Sequence, residues 1–173
     1  MTERDRRLAE AEIIEANGIT NAADAVAAAG ATGLALSYAC ALLENESAGR
    51  NIFGADPGGN ALPRAWFDTP VTRTKYTIYK MRRNLGMTPN GVGPCQLTSV
   101  GLQKEAEKAG GCWKPRHNMG VGFTFLRQLQ AEHGSQGGFQ AFNGSGPAAV
   151  AYGERAMQRA AEWHQRFVRA GLA

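Results

Sequence analysis

The sequence predicts a mixed α+β domain that is predominantly α-helical, with a small β element. Three observations carry that reading. Apolar residues recur at helical spacing in several stretches bounded by capping residues and by glycine or proline stops. The one run with strand character, Val92 to Leu97, follows the turn signal Pro89-Asn90-Gly91 and is too short for a large sheet. The 173 residues, 43% apolar and 20% charged, suit one globular domain that buries a core without metal or disulfide staples.

The elements follow in order. Residues 3 to 16, rich in Ala, Glu and Arg, predict a helix stopped by Asn17-Gly18, and a short Ala-rich helix runs from Asn21 to Ala29 with its stop at Gly30. Residues 1 to 30 are therefore a helical packing segment in front of a core spanning 31 to 170, within a single domain covering 1 to 173. Thr32 is placed to cap a third helix, Gly33 to Asn45, in which Leu34, Leu36, Tyr38, Cys40, Leu42 and Leu43 put apolar groups on nearly every face. Such a helix belongs at the centre of the fold. Residues 51 to 70, broken by Gly54, Pro57, Gly58, Gly59, Pro63 and Pro70, predict a loop, and Val71 to Arg83 a helix stopped by Gly86.

Thr98 or Ser99 opens the next helix, which reaches Ala109. Asn118 suits a cap for a helix to His133 with Val121, Phe125, Leu126 and Leu129 as its core stripe, followed by a short helix from Gly137 to Phe142. Pro147, a favoured first helical residue, starts the last helix. There Val150, Met157, Ala161, His164 and Val168 form one face, and Arg155, Arg159, Glu162, Arg166 and Arg169 another. The chain has no internal repeat or low-complexity tract.

Several function classes are excluded or disfavoured. No window approaches the ~20 apolar residues of a membrane span, and the charged start from Met1 to Glu10 does not read as a secretory signal. Cys40, Cys95 and Cys112 lack metal-ligand spacing, so buried free thiols are expected, with a Cys95 to Cys112 bridge as the alternative; no metal or cofactor is indicated. The net charge of +4 resides in the second half: residues 1 to 86 carry 10 Lys/Arg and 10 Asp/Glu, residues 87 to 173 carry 9 and 5. That imbalance suits an anionic partner, either nucleic acid or a wall polymer.

Three segments carry candidate chemistry. Glu44-Asn45-Glu46-Ser47 ends the buried helix, and at 100° per residue the two glutamates diverge by about 200°, so one cleft receives only one of them. A partly buried carboxyl at the negative end of a helix dipole resists ionisation, which suits a general acid. The Gly-rich stretch Asn90 to Thr98 lets a polymeric ligand approach the backbone, with Gln96 offering a donor and an acceptor. Ala141-Phe142-Asn143-Gly144-Ser145-Gly146 followed by Tyr152 combines an amide with aromatic rings, a sugar-binding composition.

Taken in order, Glu46-Ser47, Gly93-Pro94-Cys95-Gln96-Leu97-Thr98, Asn118-Met119 with Gly122, Phe125-Leu126 and Leu129, Phe142-Asn143-Gly144 and Tyr152 resemble the lysozyme-like superfamily. The likeness is to the soluble-lytic-transglycosylase-type domain of phage endolysins and bacterial lytic transglycosylases, and it covers about residues 34 to 155. It implies a two-lobed fold around a sugar-binding cleft and cleavage of the β-1,4 bond between N-acetylmuramic acid and N-acetylglucosamine. By carry-over Glu46 is the catalytic acid, Ser47 orients it or the substrate, Gly93, Gln96 and Asn143 meet saccharide, and Tyr152 lies near the acid. Pro94-Cys95 replaces the more usual Leu-Met, Phe142 stands where Tyr is common, and the stretch between the first two motifs, which contains Tyr76 and Tyr79, is longer than usual.

Two mechanisms remain open. A muramidase-type hydrolase places a second carboxylate to hold water, for which Asp56 is the first candidate and Asp68 the second. A lytic transglycosylase needs Glu46 alone, because the sugar's own C6 hydroxyl closes an anhydro ring. The resemblance further implies a monomer acting on peptidoglycan glycan strands without nucleic acid or stable membrane insertion. It implies synthesis in the cytoplasm of an infected bacterium and passage to the wall through a hole-forming partner. The competing classes are a basic nucleic-acid-binding domain, which leaves Glu46, Gln96 and Asn143 without purpose, and a catalytically silent wall-binding domain.

Overall fold

A computed structural model describes residues 1–172. Seven helices form among them: α1 (Glu3–Ala16), α2 (Ala22–Thr32), α3 (Leu36–Glu46), α4 (Arg73–Asn84), α5 (Val100–Lys108), α6 (Pro115–Asn143) and α7 (Pro147–Arg169), with a 3₁₀ turn at Arg64–Trp66. The predominantly helical prediction holds. α3 lies at the centre against α7 and α2, while α6 packs on α2, α5 and α7. Ala39, Cys40, Ala41, Leu42 and Leu43 are consecutive and wholly buried, so α3 is apolar around its full circumference.

The N-terminal pair anchors the end of α3. Gly49, at φ 72°, approaches the α1–α2 connection so closely that a Cβ there would lie 2.2 Å from the Thr20 carbonyl. The Thr20 N–H donates to the Ala48 carbonyl (2.9 Å) and the Asn21 amide to that of Gly49 (2.9 Å).

Several boundaries differ from the sequence reading. α2 runs through Gly30 to Gly33, whose left-handed φ of 69° ends it. Thr32 is consequently the last residue of α2 and not the cap of α3: its hydroxyl donates back to the Ala28 carbonyl at 2.9 Å. α6 starts at Pro115, so Asn118 is not a cap but lies inside the helix, fully buried. Its buried stripe is Met119, Gly122, Phe123 and Leu126; Val121, Phe125 and Leu129 are only partly covered. At Gly134 (φ 74°, ψ 172°) the helical path breaks, and Gly138 turns back so closely that a Cβ would stand 2.5 Å from Gln130 Cγ. α7 also has a different buried face, made of Ala149, Tyr152, Gly153, Ala156, Ala160, Trp163 and Phe167, with Val150 and Val168 exposed.

The β element reduces to two isolated bridges, Ile52 with Pro70 and Phe53 with Val92. Residues 51–54 are held between two neighbours by bonds such as Phe53 N–H to Thr69 O (3.1 Å) and Gly93 N–H to Ile52 O (2.9 Å). The ladder stops there because Gly93 (φ 73°) and Gln96 (φ 46°) turn the chain away around Pro94. Behind it, α4 and α5 are joined by a buried polar network: Arg83 donates to Gln103 Oε1 (2.7 Å) and Glu107 (3.1 Å), Gln103 to the Leu97 carbonyl (2.7 Å), and Tyr76 to Glu107 (2.6 Å). Tyr76 and Tyr79 of the long middle segment are therefore core residues.

Candidate active site

The C-terminal end of α3 is held residue by residue by α7. The Trp163 indole N–H donates to Glu44 Oε2 at 2.9 Å, and Arg159 Nε lies 3.5 Å from Glu44 Oε1. Arg159 also donates to the Asn45 side-chain oxygen, and the Tyr152 hydroxyl donates to Glu46 Oε1. The divergence of the two glutamates thus has a physical outcome: Glu44 is committed to α7, while Glu46 lines a cleft of about 400 Å³. Asp56, Gln96, Thr98, Leu102, Phe125, Phe142 and Asn143 line the same cleft.

The floor beside Glu46 is built on two glycines. A Cβ on Gly54 would lie 2.3 Å from Gln96 Oε1 and 3.0 Å from Asp56 Oδ2; on Gly91 the corresponding distances are 2.7 and 3.3 Å. Only bare backbone leaves room for both side chains to lie over it. The Gly91 N–H fixes the carboxylate by donating to Asp56 Oδ2 at 2.5 Å. Gln96 occupies a left-handed conformation that disfavours a residue with a Cβ, and its amide donates to the carbonyls of Ile52 (3.1 Å) and Gly93 (2.8 Å). Both amide protons are therefore used internally. What Gln96 offers a ligand is its Oε1 acceptor, not the donor and acceptor together that the sequence suggested.

The electrostatics concentrate on Glu46. Burial at the end of an apolar helix pushes its carboxyl up from 4.5 to about 7; the Tyr152 hydrogen bond pulls it down, and the charge of Asp56 pushes it up again. Burial, reinforced by the Glu46 charge, also raises Tyr152, which keeps its hydroxyl a donor. The protein thereby maintains a carboxylic acid that is protonated near neutrality beside a second carboxylate, in a cleft with aromatic and amide walls.

Not every predicted contact reaches the cleft. Ser47 is buried, and its hydroxyl donates to the Pro94 carbonyl at 2.8 Å, tying the end of α3 to the Gly93 turn. Gly93 is buried too, and a Cβ there would sit 2.5 Å from Asn118 Nδ2. These two residues brace the wall from behind instead of facing a ligand. Tyr152 acts from the buried side through Glu46, and Asp68 is exposed and outside the lining.

Two features escaped the sequence reading. Asn118 accepts from the Cys95 N–H (2.9 Å) and donates to the Val92 carbonyl (2.8 Å), locking the Gln96 turn onto α6. Thr98, Ser99 and Leu102, at the start of α5, supply a second wall. The signals available for the site floor were Gly91, within the Gly-rich stretch already singled out, and Gly54, a glycine next to an aromatic residue.

Cys40, Cys95 and Cys112 are free and buried, and burial raises each thiol above its ordinary range. Among the described residues, no three His, Cys, Asp or Glu side chains cluster as a metal site, and no helix is long and apolar enough to cross a membrane. Compared with protein-family models, with curated proteins and with solved structures, the chain matches no family, no relative and no known structure.

Proposed function

We propose that the cleft is a glycosidase site of the lysozyme-like type, cleaving the β-1,4 bond between N-acetylmuramic acid and N-acetylglucosamine in peptidoglycan. The observation that carries this reading is Glu46, a carboxyl raised to about 7 by burial and aimed with Asp56 into an open polar cleft. At neutral pH a large fraction of it is protonated, as a general acid must be to donate to a departing glycosidic oxygen. Gln96 Oε1 and the exposed Asn143 amide are the polar groups available to N-acetyl and hydroxyl substituents, and Phe125 and Phe142 the rings available to a sugar face.

Asp56 favours the hydrolytic form of the reaction. Anchored on the Gly91 N–H and close enough to oppose ionisation of Glu46, it is the group that would orient water toward the anomeric carbon. In this reading the protein is an endolysin-type muramidase that reaches the wall after synthesis in the host cytoplasm.

The test is mass spectrometry of the soluble fragments released from purified peptidoglycan by the wild-type chain and by Glu46→Gln. Reducing-end muropeptides released by the wild type and lost in the variant are expected. Anhydro-muropeptides, lighter by one water, would reassign the reaction to an intramolecular transglycosylation by Glu46 alone. Equal release by both proteins would overturn the assignment of Glu46, and release by neither would overturn the enzymatic reading.

A further inference from the structure

α4 presents its most apolar side to solvent. Ile78, Met81 and Leu85 follow one another at spacings of three and four, and are 40%, 61% and 84% exposed. The opposite side, Tyr76, Tyr79 and Arg83, is the one that packs on the protein. Met87, just beyond the helix, is exposed as well. Single exposed apolar residues are ordinary on a protein surface, whereas a contiguous row along one helix marks a contact surface.

The segment that carries this row is basic. Between Asp68 and Glu105 the chain contains no acidic residue, and it carries Arg73, Lys75, Lys80, Arg82, Arg83 and Lys104. Two of these are neutralised by Glu107: Lys80 Nζ at 2.6 Å and Arg83 at 3.1 Å. Arg73, Lys75 and Arg82 have no acidic partner among the described residues. Arg73 lies against the Trp113 ring, Lys75 against Trp66 with its ammonium on the Thr69 hydroxyl, and Arg82 on the carbonyls of Ala61 and Asn60. At 100° per residue, Lys75 and Arg82 flank the row Ile78, Met81, Leu85 on one side and Arg73 flanks it on the other.

We propose that the outer face of α4 docks on the surface of a bilayer rich in anionic lipid, with Ile78, Met81 and Leu85 entering the headgroup boundary and Arg73, Lys75 and Arg82 meeting lipid phosphates. The pairing of an apolar row with unneutralised cations matches an interface that is apolar in depth and anionic at its surface. A soluble polyanion satisfies the cations and leaves the apolar row in water. A second copy of the chain opposes like charges across the contact, since the same cations flank the row in both molecules. The surface does not depend on the proposed glycosidase activity and is tested without it.

The experiment is sedimentation of the full chain with vesicles of phosphatidylcholine alone and with vesicles containing phosphatidylglycerol as about one third of the lipid. Binding to the anionic vesicles is expected to be at least tenfold tighter than to the neutral ones and to weaken in high salt. The double variant Met81→Ser/Leu85→Ser should lose about tenfold of that binding with an unchanged circular-dichroism spectrum, since both side chains already face water. Lys75→Gln/Arg73→Gln should reduce the anionic preference while sparing the fold. Absence of binding to the anionic vesicles would overturn the proposal. So would binding that the serine variant leaves unchanged and that soluble polyglutamate displaces, the signature of a polyanion site. Concentration-dependent dimerisation lost in the serine variant, without vesicle binding, would assign the row to a second copy instead.

Discussion

Replacing Glu46 by glutamine should change how stability depends on pH, in a direction set by the burial of its carboxyl. A carboxyl whose folded pKa is raised binds its proton more tightly in the native state than in the unfolded chain. Its protonated form is therefore the one the fold accommodates, and stability falls as pH rises from the unfolded value of 4.5 through the folded value of about 7. Above that window the fold carries the whole penalty of a buried charge. With ~1.4 kcal/mol for each tenfold difference in proton affinity, the penalty is about 3 kcal/mol, a large part of the 5–15 kcal/mol that typically stabilises a domain.

The glutamine keeps the shape and can still accept from Tyr152, so its own effect is nearly independent of pH. Titrating groups that do not interact with Glu46 are common to the two proteins and cancel in the difference. Urea unfolding at about pH 4 and about pH 8.5 should show the stability of Glu46→Gln relative to wild type rising by about 3 kcal/mol, with unchanged urea slopes. A rise of less than about 1 kcal/mol would mean that the carboxyl is solvated and that the proposed origin of its acidity is wrong. A fall would mean that Glu46 is ionised against a cation in the native state.

In the proposed glycosidase reaction the same group would set the pH profile: cleavage of purified peptidoglycan should decline above about pH 7 as Glu46 ionises, and Glu46→Gln should lower the rate by about 10² to 10⁴. Tyr152→Phe removes the hydrogen bond that favours the ionised form, so the alkaline limb should move to higher pH, at a stability cost of about 1 kcal/mol in thermal or urea unfolding. Gly54→Ala places a methyl group where Gln96 Oε1 lies, and should cost about 1–3 kcal/mol while weakening binding of chito-oligosaccharides in calorimetry. Arg83→Met removes the buried partner of Gln103 and Glu107, and should destabilise the protein by about 3 kcal/mol in urea unfolding.

What was legible in the sequence follows from which side chains carry the packing. α1 and the start of α7 were readable because their boundaries rest on local chemistry: Thr2 and Asp5 cap each other, and Pro147 occupies the first turn. The centrality of α3 was readable because leucine, cysteine and alanine cover all its faces. The face of α7 was not. Its buried face includes the small residues Ala149, Gly153, Ala156 and Ala160, and α6 approaches Gly153 so closely that a Cβ there would lie 2.5 Å from Gln140 Cγ, while Val150 and Val168 stay exposed. Tyr152, Trp163 and Phe167 repeat at helical spacing on that face, but Val150, Met157, Ala161, His164 and Val168 repeat at the same period, and periodicity alone does not choose between the two stripes.

The site was legible in part for a similar reason. Glu46, Gln96 and Asn143 were legible because each sits at the end of a helix or in a tight turn that has a local sequence signature. Asp56 was an open choice, since it lies in a long loop; one hydrogen bond from the Gly91 N–H, 35 residues away in sequence, brings it in. Asn118 misled because a capping residue and a buried polar residue have the same identity. Only the partners, Cys95 N–H and the Val92 carbonyl, distinguish the two.

The dependence of α3 on α7 has a consequence for the order of synthesis. The hydroxyl that holds Glu46 is 106 residues downstream of it, and the indole that holds Glu44 is 119 residues downstream. A ribosome finishes the first six helices before either partner emerges, so a nascent chain exposes the cleft-lining glutamate without the contacts that fix it. Glu46 gains the partner that fixes it only after translation has passed Tyr152.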